Sequence, residues 1–456
     1  GDSARPTASI YRSSRGFRAS AAPPGPPAPG GDSTTGPVTV RALLDSVRLA
    51  LPDTTDFAFR PYKVRYSADY VARPTVGYQR DNFGRGFFGG TAVSLSDILG
   101  DHTLIFAGAV NGRLAEAQVL GAYINQRRRL AWAVGGSQEP FYFYAPSSYE
   151  RVDLVGAPTD SGWVFTSRIR RFVVRQAFGQ AYYPFSRFRR AEFGLNAVNI
   201  SDATLEVSDF FDDNGFYLGS TNPQEISGPA INFVQPSVAL VHDKTLFGYV
   251  GPFAGSRWRL EYSPTFGDWR FQAALVDYRQ YLFARPFTLA FRTFMFGRYG
   301  RDANDFPVFL GNPELLRGYT FGSFRTSECV EAVGTRTRTG CAEVDQLIGS
   351  KIAVANLELR FPLARNVVLG FLGLPLPPVE GALFYDVGLA WEEKSIIKLR
   401  RDPGDDFFQV RVPLRSYGAS IRANLLGFLI FRFDYSQPLN RPGKKAYWTV
   451  SLGPTF

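Results

Sequence analysis

The chain has 456 residues, of which 45% are hydrophobic and 15% aromatic, so its length allows two or three ordinary domains or one large all-β domain. Two cysteines and two histidines form no cluster with metal-ligand spacing, and no apolar run is long enough for a membrane-crossing helix. The net charge of +10 would suit an anionic partner, but no arginine-rich run is interleaved with stacking aromatics. We therefore expect no metal, no cofactor and no nucleic-acid partner.

The N-terminal part predicts little packed structure. Residues 1–37 are rich in Pro, Gly, Ser and Thr, which indicates a linker or disordered segment. Residues 38–66 are expected to form a short helix and a lead-in; the helix could pack on its own domain, fill a barrel or lie on a membrane. Its apolar residues at helical spacing are Val40, Leu43, Leu44, Val47 and Leu51. The sole methionine is Met295, so we expect a mature form or a fragment.

From about residue 67 to residue 456 the pattern has a period of two. Residues 350–361, 383–391 and 429–436 each alternate an apolar face with a face that carries charges. A tightly packed protein core would not tolerate such charges unpaired. Apolar residues toward lipid and polar residues toward a wet interior are typical of a transmembrane β-barrel. The apolar faces contain Leu357, Leu359, Leu383, Tyr385, Phe433 and Tyr435, and the polar faces contain Asn356, Glu358, Arg360, Asp386, Arg432 and Asp434.

The pattern predicts a closed antiparallel barrel of about sixteen strands, an even number that suits closure. The predicted strands are 70–79, 88–98, 102–113, 116–127, 129–138, 163–178, 187–200, 230–242, 256–266, 268–282, 286–299, 350–362, 379–391, 412–424, 427–438 and 446–456. Residues 204–218 could be a further strand or a hairpin extension. A soluble pair of β-sandwiches is the alternative. The weak point of the barrel prediction is the strand at 163–178, whose four arginines do not lie on one face: Arg168, Arg170, Arg171 and Arg175.

The connections also predict a barrel with two unlike ends. Residues 99–103 and 242–245 are expected to be tight turns, and residues 139–162 and 300–349 long loops. Outer-membrane barrels have short turns on the periplasmic side and long loops outside.

The long loop contains the sequence NPELLRGYTFGSF at residues 312–324. Its Leu-Arg-Gly-Tyr tip resembles the Val/Leu-Arg-Gly-Phe/Tyr motif of the BamA/TamA family of outer-membrane assembly factors, the bacterial surface-antigen superfamily. The stretches ANLELRFPL (355–363), ALFYDVGLAW (382–391) and YGASIRANLLGFLIFRFDYSQPL (417–439) resemble that family's last strands. Over 68–309 the resemblance is weaker, and LSDILGDH and DYRQY are similar to family barrels attached to a β-propeller.

The resemblance implies roles for four residues. Arg317, Gly318 and Tyr319 stand at the loop tip, which in the family folds back into the lumen, and Asp386 stands at the acidic wall position. The alternation independently places Asp386 on the polar face. Because a bidentate carboxylate fits the guanidinium fork, we expect Arg317 to pair with Asp386; the alternative is that Arg317 is a solvated loop residue.

The two cysteines of the same loop are Cys329 and Cys341. In an oxidising compartment a disulfide is the default for such a pair. A redox role is the alternative.

The last residues predict the closing strand of the barrel. Trp448, Val450, Leu452 and Phe456 would face lipid, and the strand would close against residues 70–79. Ending on Phe456 resembles the signal by which outer-membrane barrels are recognised. Gly453 and Pro454 should weaken ladder pairing, which indicates either a soft seam or a frayed strand end.

We expect a protein that is not an enzyme. His102 and His242 lie in predicted turns without a nucleophile elbow. The acidic residues Glu392, Glu393, Asp402, Asp405 and Asp406 could hold a cation, but a solvated loop is the simpler interpretation.

The resemblance implies insertion or translocation of proteins in the bacterial outer membrane, with a lateral gate between the first and last strands. The alternatives are a passive channel and a structural anchor. The expected partners are membrane lipid and lipopolysaccharide, client outer-membrane proteins, and periplasmic or accessory subunits bound through residues 1–60.

Overall fold

The computed structural model describes residues 61–456 apart from a set of short gaps. Residues 1–60, 82–83, 113–115, 154–160, 326–327, 330–340, 365–367, 370–373, 376, 404, 407–408, 426–428, 442 and 454–456 lie outside the described residues. The linker at 1–37 and the helix within 38–66 therefore remain predictions.

One antiparallel sheet contains the long strands. They are β1 (Tyr66–Val71), β2 (Thr75–Asp81), β3 (Gly84–Asp97), β4 (His102–Gly112), β5 (Gln118–Asn125), β6 (Ala131–Asp153), β7 (Ser161–Pro184), β8 (Arg189–Asp212), β9 (Tyr217–Ser220), β10 (Gln224–Ser227), β11 (Ile231–Asp243), β12 (Leu246–Phe247), β13 (Pro252–Gly267), β14 (Phe271–Ala284), β15 (Phe287–Tyr299), β18 (Lys351–Ala364), β21 (Val379–Trp391), β24 (Leu414–Leu425), β25 (Leu429–Pro438) and β26 (Tyr447–Leu452).

Short elements lie in the connections. The paired strands are β16 (Val308–Phe309) with β17 (Ile348–Gly349), β19 (Val368–Leu369) with β20 (Leu374–Pro375), and β22 (Ile396–Ile397) with β23 (Val410–Arg411). A 3₁₀ turn covers Phe321–Ser323 and the helix α1 covers Ala342–Asp345. Among the described residues, no helix has the length and apolar character needed to cross a membrane.

The sheet is an up-and-down meander. Each long strand pairs with the next long strand along the chain from β3 to β26, and both β1 and β2 pair with β3. Every predicted strand span overlaps one of these strands, so the antiparallel all-β prediction is confirmed. Within the described residues β26 pairs with β25, and closure against the first strands and the total of about sixteen remain predictions.

The alternation has the predicted faces, and the polar face is the buried one. In β18, Asn356, Glu358 and Arg360 are at most 3% exposed, whereas Leu357 and Leu359 are 45% and 38% exposed. β21, β24 and β25 repeat the pattern. A soluble protein buries the opposite set, so this sheet presents its apolar side to its surroundings and covers its charged side.

The prediction of a long loop at residues 139–162 is wrong. β6 continues to Asp153 and β7 begins at Ser161, and β8 runs to Asp212, so 204–218 is largely a hairpin extension. Cross-strand ion pairs hold the extension, with Arg168 Nε 2.6 Å from Glu206 and Arg170 Nη2 2.5 Å from Asp202. A polar extension need not follow the apolar alternation of a lipid-facing strand, which explains why its arginines occur on both faces.

The two ends of the sheet differ as expected. At one end, here called the turn end, residues 98–101, 185–188 and 285–286 connect neighbouring strands. At the other, the loop end, residues 300–350 and 392–413 form long connections. The tight turn predicted at 242–245 is longer than expected and spans 244–251.

Gly255 gives a test of this turn. Its φ is +98°, and a Cβ there would overlap the carbonyl oxygen of Lys244. Gly215 has a similar φ of +81° but no heavy atom within 4 Å of its Cβ position. We expect Gly255→Ala to lower the free energy of unfolding by roughly 3 kcal/mol or more and Gly215→Ala by only about 1 kcal/mol. Urea unfolding in detergent micelles measures both, and equal losses would contradict the proposed overlap.

Candidate functional site

The segment after β15 folds over the buried, charge-bearing face of the sheet, here called the inner face. Leu310, Leu316 and Tyr319 are no more than 1% exposed and form one apolar cluster with Ile352 and Leu414 of the wall. Gly388 of β21 leaves the room they need, because a Cβ there would lie 3.0 Å from Leu310 and 3.2 Å from Leu316. The loop therefore packs on the wall with apolar side chains as well as with charges.

Arg317 lies at the centre of this contact. Its Nε donates to Asp386 Oδ2 and its Nη2 donates to Asp386 Oδ1, each at 2.7 Å. Its Nη1 donates to Glu358 Oε1, also at 2.7 Å. The guanidinium also lies over the ring of Phe384, 3.6 Å from the centroid. The structure thus places the predicted partner Asp386 at bidentate distance. The sequence reasoning did not identify Glu358 as a partner, although the alternation had placed it on the polar face.

The carboxylate of Glu358 accepts hydrogen bonds from three arginines. Its Oε1 also accepts from Arg422 Nη2 at 2.6 Å, and its Oε2 accepts from Arg360 Nε at 2.8 Å. The side chains of Glu358 and its three arginine partners are each at most 3% exposed. A buried charge needs partners with good geometry, and here each carboxylate oxygen of Glu358 has at least one guanidinium donor.

Neutral groups complete the site. Asn356 donates to Asp386 Oδ1 and to the carbonyl oxygen of Leu315, both at 2.9 Å. Earlier in the loop, Arg292 donates to the carbonyl oxygen of Glu314 at 2.9 Å, and Arg432 donates to that of Pro313 at 3.1 Å. The wall therefore binds the loop backbone over the three residues from Pro313 to Leu315, just before the arginine.

Arg317 keeps its charge in this setting. Burial disfavours the charged form, but the carboxylates of Asp386 and Glu358 outweigh burial and raise the pKa of Arg317 above its ordinary value. Arg317 is therefore charged across physiological pH.

Gly318 and Tyr319 direct the chain after the arginine. Gly318 has φ +84°, a left-handed conformation that glycine adopts without strain. The hydroxyl of Tyr319 donates to the carbonyl oxygen of Arg415 at 2.9 Å and accepts from the Asn440 amide at 3.1 Å. Burial raises the pKa of Tyr319 to about 12, so the hydroxyl remains a donor.

A second contact, the Arg441 clamp, joins the loop to the connection before β26. Arg441 Nη1 donates to the carbonyl oxygen of Gly318 at 3.0 Å, and its Nη2 lies 2.7 Å from Glu328. Its guanidinium lies 3.7 Å from the ring centroid of Phe324. The hydroxyl of Tyr447, the first residue of β26, donates to Ser323 at 3.0 Å. Sequence reasoning missed this clamp; the signal that could have found it is the basic run of Arg441, Lys444 and Lys445 before the last strand.

The charge on Glu328 is retained. Burial would raise the pKa of Glu328, but its hydrogen bonds from Arg441 outweigh that effect and lower it. The clamp is thus an ion pair at neutral pH.

Cys329 and Cys341 form a disulfide, as predicted. The bridge joins the residue after Glu328 to the N-cap of α1, so it connects the Arg441 clamp to a buried helical turn.

The closing strand is described as far as Gly453. Trp448, Val450 and Leu452 are about 60% exposed and lie opposite Tyr435, Phe433 and Phe431 of β25. Gly453 has φ +131° and its amide donates to Ile430 at 3.0 Å. Pro454 and Phe456 lie outside the described residues.

Four of the other candidate residues, His102, His242, Asp402 and Asp405, form local contacts. His102 Nδ1 lies 2.6 Å from the hydroxyl of Tyr123, and His242 stacks on Trp258. Asp402 and Asp405 accept from the ammonium group of Lys398 at 2.9 and 2.7 Å.

These features define an antiparallel all-β protein whose charged inner face holds an inward loop by a buried arginine. Residues 269–456 match the Omp85 superfamily domain. The expected resemblance to BamA/TamA-like proteins is confirmed over this part of the chain.

One solved structure agrees at the level of the fold. The chain is similar to BamA from Haemophilus ducreyi lacking POTRA domains 1-3, with a TM-score of 0.50, 15% identity, and coverage of 86% of this chain and 71% of that one. It is also similar to CdiB from Acinetobacter baumannii, with a TM-score of 0.41, 11% identity, and coverage of 83% and 58%. No curated protein matches the sequence.

Removing the loop arginine should release the loop. We expect Arg317→Ala to lower the free energy of unfolding by about 3–5 kcal/mol, because Asp386 and Glu358 would stay buried without it. Arg151→Ala is the control, since Arg151 is 59% exposed in its ion pair with Asp213 and should contribute under about 1 kcal/mol. Urea unfolding measures stability, and limited proteolysis of 300–349 measures release of the loop. Unchanged proteolysis of Arg317→Ala would contradict an anchoring role.

Removing the disulfide should have a smaller and more local effect. We expect Cys329→Ser with Cys341→Ser to cost roughly 3 kcal/mol, since the bridge closes a short loop. Cleavage should increase around 330–340 and not at 312–318, which Arg317 continues to hold. Mapping the cleavage sites by mass spectrometry checks this, and cleavage spread evenly over the loop would show that the two attachments are not separate.

Proposed function

We propose that the chain is an integral protein of the bacterial outer membrane that closes into a barrel of about sixteen strands and inserts or translocates other proteins. The Omp85 match over residues 269–456 supports this assignment. So does the polarity of the sheet, because exposed apolar side chains suit lipid and covered charges suit a wet interior.

The inward loop is the observation that carries the proposal. A simple pore would not need an arginine bound to two buried carboxylates and a second clamp on the last hairpin. Arg317 attaches the loop to β18 and β21, while Arg441 attaches the same loop beside β26. The loop therefore contacts both the fixed wall and the strand at the proposed seam.

The seam itself is proposed to act as a lateral gate between residues 66–81 and 446–456. Among the described residues, β26 has 6 residues and β25 has 10, so the described ladder between β25 and β26 is shorter than the ladder between β24 and β25. On the other side, residues 72–74 interrupt the first strand, and its register with β3 shifts between Ala68 and Tyr70. Short and irregular edge strands lower the cost of opening a sheet at that line.

The proposed partners follow from this placement. Lipid and lipopolysaccharide would surround the apolar face, client outer-membrane proteins would use the seam, and accessory subunits would bind residues 1–60. The proposed role involves no enzymatic chemistry. A passive channel and a structural anchor are the other outcomes of the tests below.

Depletion of the protein tests the function. We expect other barrel proteins to fall several-fold in the outer membrane after depletion, with rescue by the wild-type chain and by Arg151→Ala but not by Arg317→Ala. Quantitative proteomics of outer-membrane fractions gives the measurement. Normal levels of other barrel proteins in the depleted strain would contradict the assembly role and leave the channel or anchor.

Locking the seam tests the gate. Cysteines placed along Tyr66–Val71 and along Tyr447–Leu452 should, where they cross-link, abolish rescue of the depleted strain. The control lock joins Ala419 and Tyr435, which are neighbours in β24 and β25, and should leave rescue intact. A gate is excluded if cross-linked seam variants rescue as well as the control.

A further inference from the structure

The outward face of the sheet carries a row of small residues bounded by large ones. Gly121, Gly136, Ala177 and Ala197 are successive cross-strand neighbours on β5, β6, β7 and β8. Phe106 bounds the row on one side, and Val234 and Phe266 bound it on the other. Three interstrand spacings separate Gly136 from Val234, about 14 Å, so the depression is wide enough for more than one hydrocarbon chain.

A row of polar side chains lies directly toward the loop end. Gln138, Arg175, Asn199 and Asn232 are again successive cross-strand neighbours, two residues along each strand from the small row. The polar row and three members of the small row, Gly136, Ala177 and Ala197, line one open groove of about 770 Å³, a size typical of small-molecule sites. The small row thus forms an apolar floor of the groove, and the polar row forms a rim along one side of that floor.

Arg175 is held in place by neutral groups. Its Nε donates to Gln138 Oε1 at 2.9 Å, and its Nη1 donates to Asn199 Oδ1 and Ser201 Oγ, both at 3.2 Å. Asn199 in turn donates to Asn232 at 2.7 Å. Three neutral acceptors orient the guanidinium without cancelling its charge.

The neighbouring arginines of β7 differ in this respect. Arg168, Arg170 and Arg171 each form an ion pair with a carboxylate. Among the residues that the structure describes, no carboxylate lies within ion-pair distance of Arg175. The positive charge at the rim of the groove is therefore left for an external anion.

We propose that this groove binds an anionic phosphorylated lipid of the surrounding leaflet, with its acyl chains on the small row and its phosphate on Arg175. The inference rests on the proposed membrane location. A guanidinium is well suited to phosphate oxygens, and the floor continues the lipid-facing surface that carries Leu195, Val238 and Tyr262, each more than 40% exposed. The amide row would hold the remaining headgroup oxygens.

Native mass spectrometry of the full chain in micelles tests the site. The probes are phosphatidylglycerol and phosphatidylcholine with the same acyl chains, so they differ in net charge. We expect preferential retention of phosphatidylglycerol by the wild-type chain, about tenfold weaker retention by Arg175→Gln, and substantial recovery in Arg175→Lys. Ala177→Trp, which fills the floor, should also weaken retention.

Matched variants separate the site from general surface effects. Arg128→Gln removes an exposed arginine at the turn end, and Val276→Trp adds bulk to another exposed position of the sheet; both should retain the lipid. Equal retention of the two lipids, or wild-type retention by both Arg175→Gln and Ala177→Trp, would overturn the proposal. Flotation of the wild-type chain with vesicles reports membrane insertion separately, and client depletion reports assembly, so failure of either is distinguishable from failure of this site.

Discussion

The position of the inward loop depends on the charge balance around Glu358. This carboxylate is buried in the sheet wall and meets Arg317, Arg360 and Arg422. Two of these cations come from the wall, and only Arg317 comes from the loop. An ion pair of this kind is weak support for stability compared with apolar packing, but removing one partner leaves an uncompensated buried charge. The network therefore specifies where the loop lies more than it adds to the total free energy of unfolding.

Asp386 explains why the loop arginine cannot be exchanged for a wall arginine. Its two carboxylate oxygens accept hydrogen bonds from Nε and Nη2 of Arg317, and Oδ1 also accepts one from the side-chain amide of Asn356. A bidentate arrangement requires the guanidinium to approach in the plane of the carboxylate. Phe384 covers the face of that guanidinium, so direction, plane and depth of the loop tip are all determined by three wall residues.

The sequence could predict the faces of the sheet because the side-chain period in a strand is two. Asn356, Glu358 and Arg360 stand at successive even positions, and their shared face followed from that spacing alone. The partners of Glu358 could not be predicted in the same way, since Arg317 and Arg422 are 41 and 64 residues away and their contact depends on register. The continuation of β6 through residues 139–153 was not predicted for a related reason: its partners on β7 lie far away in the sequence, and their pairing depends on register.

Gly318 lies between the two attachments of the loop. The side chain of Arg317 reaches the wall, while the carbonyl oxygen of the next residue accepts from Arg441 beside the last strand. The wall attachment is multiple and buried, whereas β26 has 6 residues in the described part of the chain, and within that part it pairs with β25. Loop contacts through Ser323 and Tyr447 therefore contribute a larger share of what holds β26 than of what holds β18 or β21. A displacement of β26 relative to β25 would consequently act first on the Arg441 clamp and on the contact between Ser323 and Tyr447, because Arg432 of β25 holds Pro313 on the Arg317 side of the loop.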